Sequence, residues 1–352
     1  MRGTPLARLL LLVYLALVAY ASLYPLAGWR AHGGSPLEFF ASPWPRAILW
    51  FDVISNFIGY AVLGALAVLA MRPRVRGPAA MLGAVALGAS LSLLMEAAQS
   101  YLPARTPSSL DLLCNAAGAL AGALAGLLAR PWEQPLRQWR ARALLPGPQG
   151  DLGLALLGLW LFTQLNPAML LFGVGDLRDL LAGPAGPARA PELFVAIEAV
   201  TAAANLAAVA LLASSIASPG ARVRALVVAL VLAALAVKTF AFAVILRAQD
   251  GFAWLTPGAL QGLVAGLAVA LLAVGLPRVA RLAMAAVLLM VAAILVNLAP
   301  QNPYMAAMLK LWQQGHFLNF NGLTRLVATL WPFAALSFLI HLAARRREDT
   351  LR

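Results

Sequence analysis

The chain has 352 residues, of which 62% are hydrophobic and only 11% are charged, and its mean hydropathy is +0.84. A soluble domain is about half apolar and about a quarter charged, so this composition excludes an ordinary soluble protein. The net charge of +13 comes from arginines in short clusters between apolar runs, which is typical of cytoplasmic loops and not of a nucleic-acid-binding patch. We therefore predict an all-α polytopic membrane helix bundle that contacts membrane lipids and has no nucleic-acid partner.

The apolar runs are long enough to cross a bilayer, which takes ~20 residues per helix. The first run contains "AYA" at 19–21, which resembles a signal-peptidase site, but we interpret the run as a retained helix because many spans follow it. About ten transmembrane helices are predicted, at 6–27, 49–71, 79–101, 110–129, 152–173, 192–217, 222–246, 258–276, 279–300 and 322–343.

Arginine placement predicts the orientation and the domain boundary. Arginines concentrate at the N-terminus, in the loops after even-numbered spans and in the C-terminal tail, so both termini are predicted to be cytoplasmic. This pattern indicates a multi-pass protein of the bacterial inner membrane. The longest basic segment, 131–150, is interpreted as a cytoplasmic linker between a four-helix domain at 1–130 and a six-helix domain at 151–352.

Few residues suit a cofactor or a metal. The single cysteine, Cys114, cannot form an intramolecular disulfide, and the three histidines are far apart in the sequence. The chain also lacks a phosphate-binding Walker loop, a Gly-x-Ser-x-Gly motif and an HExxH motif. We predict no cofactor and no metal site.

Polar residues interrupt the first four spans in pairs. Side chains three or four positions apart share one face of a helix, and consecutive spans alternate in direction. The pairs are therefore expected at one membrane depth, near the outer interface, with Arg105 in the loop between the third and fourth spans. The pairs are Asp52 and Asn56, Glu96 and Gln99, and Asp111 and Asn115.

Two interpretations of this cluster are open. Charged residues at membrane depth cost ~2.5–3.5 kcal/mol each on insertion scales, so they usually face partners or a wet cavity. In a structural interpretation, Arg105 neutralises Glu96 or Asp111 and the amides join the helices. In a functional interpretation, which we favour for so many clustered residues, they form an outward-opening site. The glycines at 118, 122 and 126 predict close helix packing.

Three separated motifs resemble the VanZ-like family over residues ~6–130: "YASLYP" at 20–25, "DVISNFIGYAVLG" at 52–64 and "EAAQSYLPARTPSSLDLLCNAAGALAG" at 96–122. The family pattern is an Asp, a polar residue four positions later and a Tyr, then Glu-x-x-Gln, an Arg and Asp-x-x-x-Asn-x-x-Gly. The matching positions here are Asp52, Asn56, Tyr60, Glu96, Gln99, Arg105, Asp111, Asn115 and Gly118. The remainder of the chain resembles the C-terminal extension of long family members.

The resemblance implies a role in the cell envelope, because founding members are linked to resistance to the glycopeptide antibiotic teicoplanin. We hypothesise that the site binds or modifies a lipid-linked envelope component or a phospholipid head group. Arg105 would hold a phosphate or carboxylate, and Glu96 or Asp111 would orient the ligand or act as a base. The alternative is a non-catalytic scaffold or transporter in which these residues only join helices. Enzymatic activity and oligomeric state are left open.

A second polar group lies in the sixth and seventh predicted spans. Glu198 and Lys238 are at similar depth, about 10–12 Å from the outer ends at 1.5 Å per residue, and could form an intramembrane pair. Thr201 and Asn205 extend the face of Glu198. The pair is interpreted as structural or as part of a transport or proton-relay path. If the two residues pair, a double change to Gln and Met should restore much of the stability lost in either single variant.

The outer loop at 300–321 is rich in aromatic residues, including Tyr304 and Trp312, and contains Lys310. This composition predicts a helix that lies on the outer membrane surface. Such a helix could extend over the site in the first four spans.

Overall fold

The computed structural model describes residues 5–31, 33–44, 48–72, 74–178, 191–246, 248–298 and 318–350. Within these ranges the chain forms eleven α-helices and no β-strand. Eight of these helices are long and apolar enough to cross a membrane. The predicted all-α membrane fold is therefore confirmed. The predicted surface helix at 300–321 lies almost entirely outside the described residues.

The chain divides into two compact units, Met1–Trp139 and Arg140–Arg352. The division falls inside a helix, α5, in the segment predicted as a basic linker. The helices of the first unit, with α5 crossing the division, are α1 Pro5–Leu23, α2 Trp50–Met71, α3 Gly77–Gln99, α4 Ser109–Leu128 and α5 Arg130–Ala143. Those of the second unit are α6 Pro148–Thr163, α7 Pro191–Ser215, α8 Val223–Ala241, α9 Pro257–Ala273, α10 Arg278–Leu298 and α11 Leu318–Thr350.

Two of the ten predicted spans are shorter than expected. The fifth span ends as α6 at Thr163, after 16 residues, because Pro167 lacks an amide proton and disfavours helical backbone at Asn166. The eighth span is α9, with 17 residues. The structure thus contains eight long apolar helices and these two shorter ones, where the sequence predicted ten similar spans.

Glycines set the closest contact of the first unit, between α2 and α4. A Cβ atom at Gly118 would overlap the backbone carbonyl of Phe57, and one at Gly122 would overlap that of Ala61. From the α2 side, Gly64 is equally close to the backbone of Ala119. The predicted small-residue packing is therefore confirmed, and it fixes the relative position of the two helices that carry Asp52 and Asp111.

The second unit is arranged around α7, which packs against both α9 and α10. Glycines again allow the backbones to approach: a Cβ atom at Gly262 would be 2.6 Å from the carbonyl oxygen of Ala199, and one at Gly266 would be 2.8 Å from the Cα of Ala203. Three glycines at four-residue spacing in α9 are the sequence signal for this close packing, which was not predicted for the second half of the chain.

The orientation of the helices is a prediction from the arginines alone. A reporter enzyme that is active only outside the cytoplasm should be active when fused after residue 180 and inactive when fused after residue 142. A fluorescent protein that matures only in the cytoplasm, fused at the same two positions, is the control and should give the opposite result. Reporter activity after residue 142 would contradict cytoplasmic termini.

Candidate functional site

Four charged residues converge at one end of the first unit, where α1 and α3 end and α2 and α4 begin. Asp52 lies in the first turn of α2, Glu96 in the last turn of α3 and Asp111 in the first turn of α4. Arg105, in the loop between α3 and α4, lies within electrostatic range of all three carboxylates. The structure therefore brings together charged residues that are distant in the sequence; Asp52 and Asp111 are 59 positions apart.

Arg105 is half-buried and holds the end of α1. Its Nε atom donates to the carbonyl of Tyr24 at 3.0 Å, and its Nη2 atom donates to the carbonyl of Ala21 at 2.7 Å. A guanidinium at a helix C-terminus satisfies carbonyls that have no helical partner and interacts favourably with the helix dipole. Burial lowers the pKa of Arg105, and the nearby carboxylates act in the opposite direction.

Arg105 does not form a contact ion pair with Glu96 or Asp111 within the described ranges. The structural interpretation expected Arg105 to neutralise Glu96 or Asp111 by direct contact. Instead, the guanidinium interacts with these carboxylates electrostatically over a longer distance. Two of the guanidinium nitrogens bind backbone carbonyls, so the planar fork is not free to grip a ligand with Nε and Nη2 together.

Glu96 and Gln99 join α3 to its neighbours. Glu96 is only 3% exposed, and its Oε2 atom accepts a hydrogen bond from the backbone N–H of Ser108 at 2.8 Å. Ser108 is the N-cap of α4, and its hydroxyl accepts from the N–H of Leu110. Gln99 donates through Nε2 to the carbonyl of Ser22 at 3.0 Å. These two side chains position the loop that carries Arg105.

Asp52, Asn56 and Asp111 form the accessible part of the cluster. All three side chains are half-buried, and Asn56 lies beside the Asp111 carboxylate. Asp52 and Arg105 both lie within electrostatic range of the Asp111 carboxylate. In the part of the chain that the structure describes, no three acidic, histidine or cysteine side chains are close enough to hold a metal ion.

Tyr60 and Asn115 lie deeper in the bundle, on either side of Ser92. Asn115 donates through Nδ2 to the hydroxyl of Ser92 at 2.9 Å. The Oδ1 atom of Asn115 and the hydroxyl of Tyr60 are buried and have no hydrogen-bond partner among the described residues. Ser92 was missed in the sequence analysis, although it lies one turn before Glu96 on the same face of α3. Buried polar atoms of this kind commonly bind ordered water.

An apolar groove of about 490 Å³ lies between α3 and α4, lined in part by Leu93, Ser109 and Leu113. None of the residues that line it belongs to the polar cluster. The groove is therefore separate from the polar cluster, and we do not include it in the candidate site.

Residues 9–130 match the VanZ/LLP1 family model. These residues form a VanZ-family domain. The match covers nearly all of α1 and the whole of α2–α4, and so includes all eight candidate residues of the cluster. No curated protein and no solved structure is significantly similar to the chain. The family assignment thus applies to residues 9–130, and the match does not extend to α6–α11.

Outside the VanZ-family domain, Lys238 and Glu198 lie inside the second unit and are 1% and 2% exposed. The Nζ atom of Lys238 donates to the carbonyls of Asn166 and Met169, at 2.7 and 2.8 Å. The carboxylate of Glu198 lies beside Thr256 and within electrostatic range of Lys238, but the two charged groups are not in ion-pair contact within the described ranges. Lys238 therefore holds the loop after α6, where Pro167 ends the helix.

The predicted polar face of α7 is present. Three buried oxygen atoms on this face have no hydrogen-bond partner in the ranges that the structure describes: Glu198 Oε2, Thr201 Oγ1 and Asn205 Oδ1. They lie at intervals of three and four residues along one side of the helix, next to the glycines of α9. A role for Glu198 and Lys238 in transport or proton transfer remains a prediction.

Proposed function

We propose that this integral membrane protein binds the polar head group of a membrane lipid at the end of the VanZ-family domain that carries Asp52, Asn56, Arg105 and Asp111. The head group belongs to a lipid-linked cell-envelope component or a phospholipid. The observation that carries the proposal is the convergence of three carboxylates and one arginine at a bundle end. Ionisable residues of membrane-spanning helices usually face one another or a water-filled cavity, and their convergence at one bundle end favours a functional role.

The accessible residues suggest how a head group is bound. Asp52 and Asp111 would accept hydrogen bonds from hydroxyl or amino groups, and Asn56 can donate or accept. Arg105 would attract a phosphate through its charge, since two of its nitrogens already bind carbonyls. Glu96 would position the loop through Ser108 and would not contact the ligand. If the domain transforms its ligand, Asp111 is the accessible group that can act as a base.

The cellular setting of the proposal comes from the sequence. The arginine distribution favours the bacterial inner membrane, with this end of the domain on the outer side. A link to glycopeptide resistance rests on the family resemblance, and would follow if the bound lipid belongs to cell-wall synthesis.

One observation favours the alternative function of a non-catalytic scaffold or transporter. Arg105, Gln99 and Asn115 each form a hydrogen bond to a neighbouring helix, as residues with a purely structural role would. The two functions differ for Asp52 and Asp111, whose carboxylates are half-buried at the bundle end. A scaffold would not need their charge.

Native mass spectrometry of the purified protein tests the proposal. The wild-type protein should retain a phosphate-containing lipid, and the double variant Asp52→Asn Asp111→Asn should be produced at a similar level but lose that lipid. Glu192→Gln, a matched change at an exposed carboxylate of the second unit, is the control and should retain it. Equal retention by the double variant and the control would contradict head-group binding at the cluster.

A further inference from the structure

Helix α5 has an exposed apolar face. Trp132, Leu136 and Trp139 lie at intervals of four and three residues, which places them on one side of the helix. Their exposed fractions are 74%, 63% and 51%. Exposed tryptophans in a row are costly in water, so this face is expected to have an apolar partner.

Two ion pairs fix the rotation of α5. Glu133 pairs with Arg72, at the end of α2, and Arg140 pairs with Asp151, in the first turn of α6. Both paired residues of α5 lie on a side of the helix next to the apolar face. Within the first unit, the pair with Arg72 therefore sets the rotation of the part of α5 that carries Trp132 and Leu136, whose side chains are exposed.

The position of α5 places it at the membrane surface. It begins at Arg130, two residues after the membrane-spanning helix α4 ends at Leu128. It is therefore at the opposite end of the first unit from Asp111, which lies in the first turn of α4.

Exposed arginines lie on the other sides of α5, one beside the apolar face and two nearly opposite it. Arg130, Arg137 and Arg142 are exposed on α5, and Arg74 and Arg76 are exposed in the loop between α2 and α3, at the same end of the bundle. A helix with tryptophan and leucine on one face and arginines on the others has the composition of an interfacial helix. Each basic residue near an anionic surface contributes about 1 kcal/mol of attraction.

We propose that α5 lies in the head-group layer of the membrane and binds anionic phospholipids, with Trp132, Leu136 and Trp139 inserted below the phosphates and Arg130, Arg137 and Arg142 on lipid phosphates. The surface is independent of the head-group site, since it is at the other end of the first unit. It would give the segment between the two units a lipid-dependent position.

Site-directed spin labelling of the full-length protein tests this inference. In a Cys114→Ala background, a nitroxide is attached at Leu136→Cys or, as a control on the opposite face, at Ala141→Cys. The protein is reconstituted in phosphatidylcholine with and without phosphatidylglycerol. With phosphatidylglycerol present, the label at 136 should be accessible to oxygen and protected from a water-soluble nickel reagent. The label at 141 should show the reverse.

The arginines are tested by Arg130→Gln, Arg137→Gln and Arg142→Gln together, in the protein labelled at 136. This variant should show more nickel accessibility in mixed bilayers, close to that of the unsubstituted protein in phosphatidylcholine alone. Three results would overturn the proposal. They are a label at 136 that is open to nickel in mixed bilayers, one protected from both reagents as in a protein–protein contact, and insertion that is the same with and without phosphatidylglycerol.

Discussion

Gly122→Ala is expected to destabilise the VanZ-family domain by about 3 kcal/mol or more, above the usual cost of an added methyl group. The reason is that the new Cβ atom would overlap the backbone carbonyl of Ala61 on α2, and backbone cannot move aside as a flexible side chain can. Separation of α2 from α4 would also displace Asp52 from Asp111. The measurement is thermal unfolding of the purified protein in detergent.

Gly158→Ala, in the interior of α6, is the matched control. Apart from the neighbouring residues and backbone of α6 itself, no heavy atom in the described ranges lies within 4 Å of a Cβ atom built at Gly158. Since alanine is the better helix former, this variant should be unchanged or stabilised by about 0.5–1 kcal/mol. Unfolding of Gly122→Ala at the wild-type temperature would show that α2 and α4 do not pack as closely as described.

Lys238→Met is expected to destabilise the second unit by about 3–5 kcal/mol, the range for loss of one partner from a buried charged network. The substitution would leave the carbonyls of Asn166 and Met169 without a donor and the buried carboxylate of Glu198 without a nearby positive charge. Arg224→Met, an exposed basic residue in the first turn of α8, is the control, with an expected change below about 0.5 kcal/mol. Thermal unfolding again provides the measurement.

The structure changes the expected result for the double variant Glu198→Gln Lys238→Met. A direct ion pair would predict recovery of much of the lost stability. Since Lys238 binds backbone carbonyls, removal of the Glu198 charge restores only a small part, because the two carbonyls stay unpaired. Recovery to near wild-type stability would show that Lys238→Met destabilises the protein through the unneutralised charge of Glu198 and not through the unpaired carbonyls.

The sequence predicted the helices well because membrane insertion leaves few alternatives for long apolar runs. It also predicted the contact at Gly118 and Gly122, where small residues repeat at helical spacing. The early end of α6 was missed, although Pro167 indicates it, because the apolar run continues beyond the proline. The rotation of α5 depends on Arg72 and Asp151, which are distant in the sequence, and could not be read from the segment itself.

For the candidate site, the residues and their common depth could be predicted from the sequence, but their hydrogen-bond partners could not. Helical spacing places Asp52, Glu96 and Asp111 at one end of the bundle. It does not reveal that Arg105 binds carbonyls of α1 or that Glu96 binds the backbone of Ser108. Backbone acceptors and donors are present at every residue, so no sequence pattern marks the ones used. The sequence therefore predicted that Arg105 holds a phosphate or carboxylate. In the structure, two of its nitrogens are already bound to backbone carbonyls.

The most direct test of head-group binding at the cluster is a comparison of unfolding temperatures with and without added lipid. Delipidated wild-type protein should be stabilised by undecaprenyl phosphate or by phosphatidylglycerol, because a ligand that binds only the folded state raises its stability. Asp52→Asn Asp111→Asn should unfold at the wild-type temperature without lipid and show less of this stabilisation, since only binding at the α5 surface remains. Equal stabilisation of the two proteins by both lipids, or a double variant that is already unstable without lipid, would contradict a head-group site at Asp52 and Asp111.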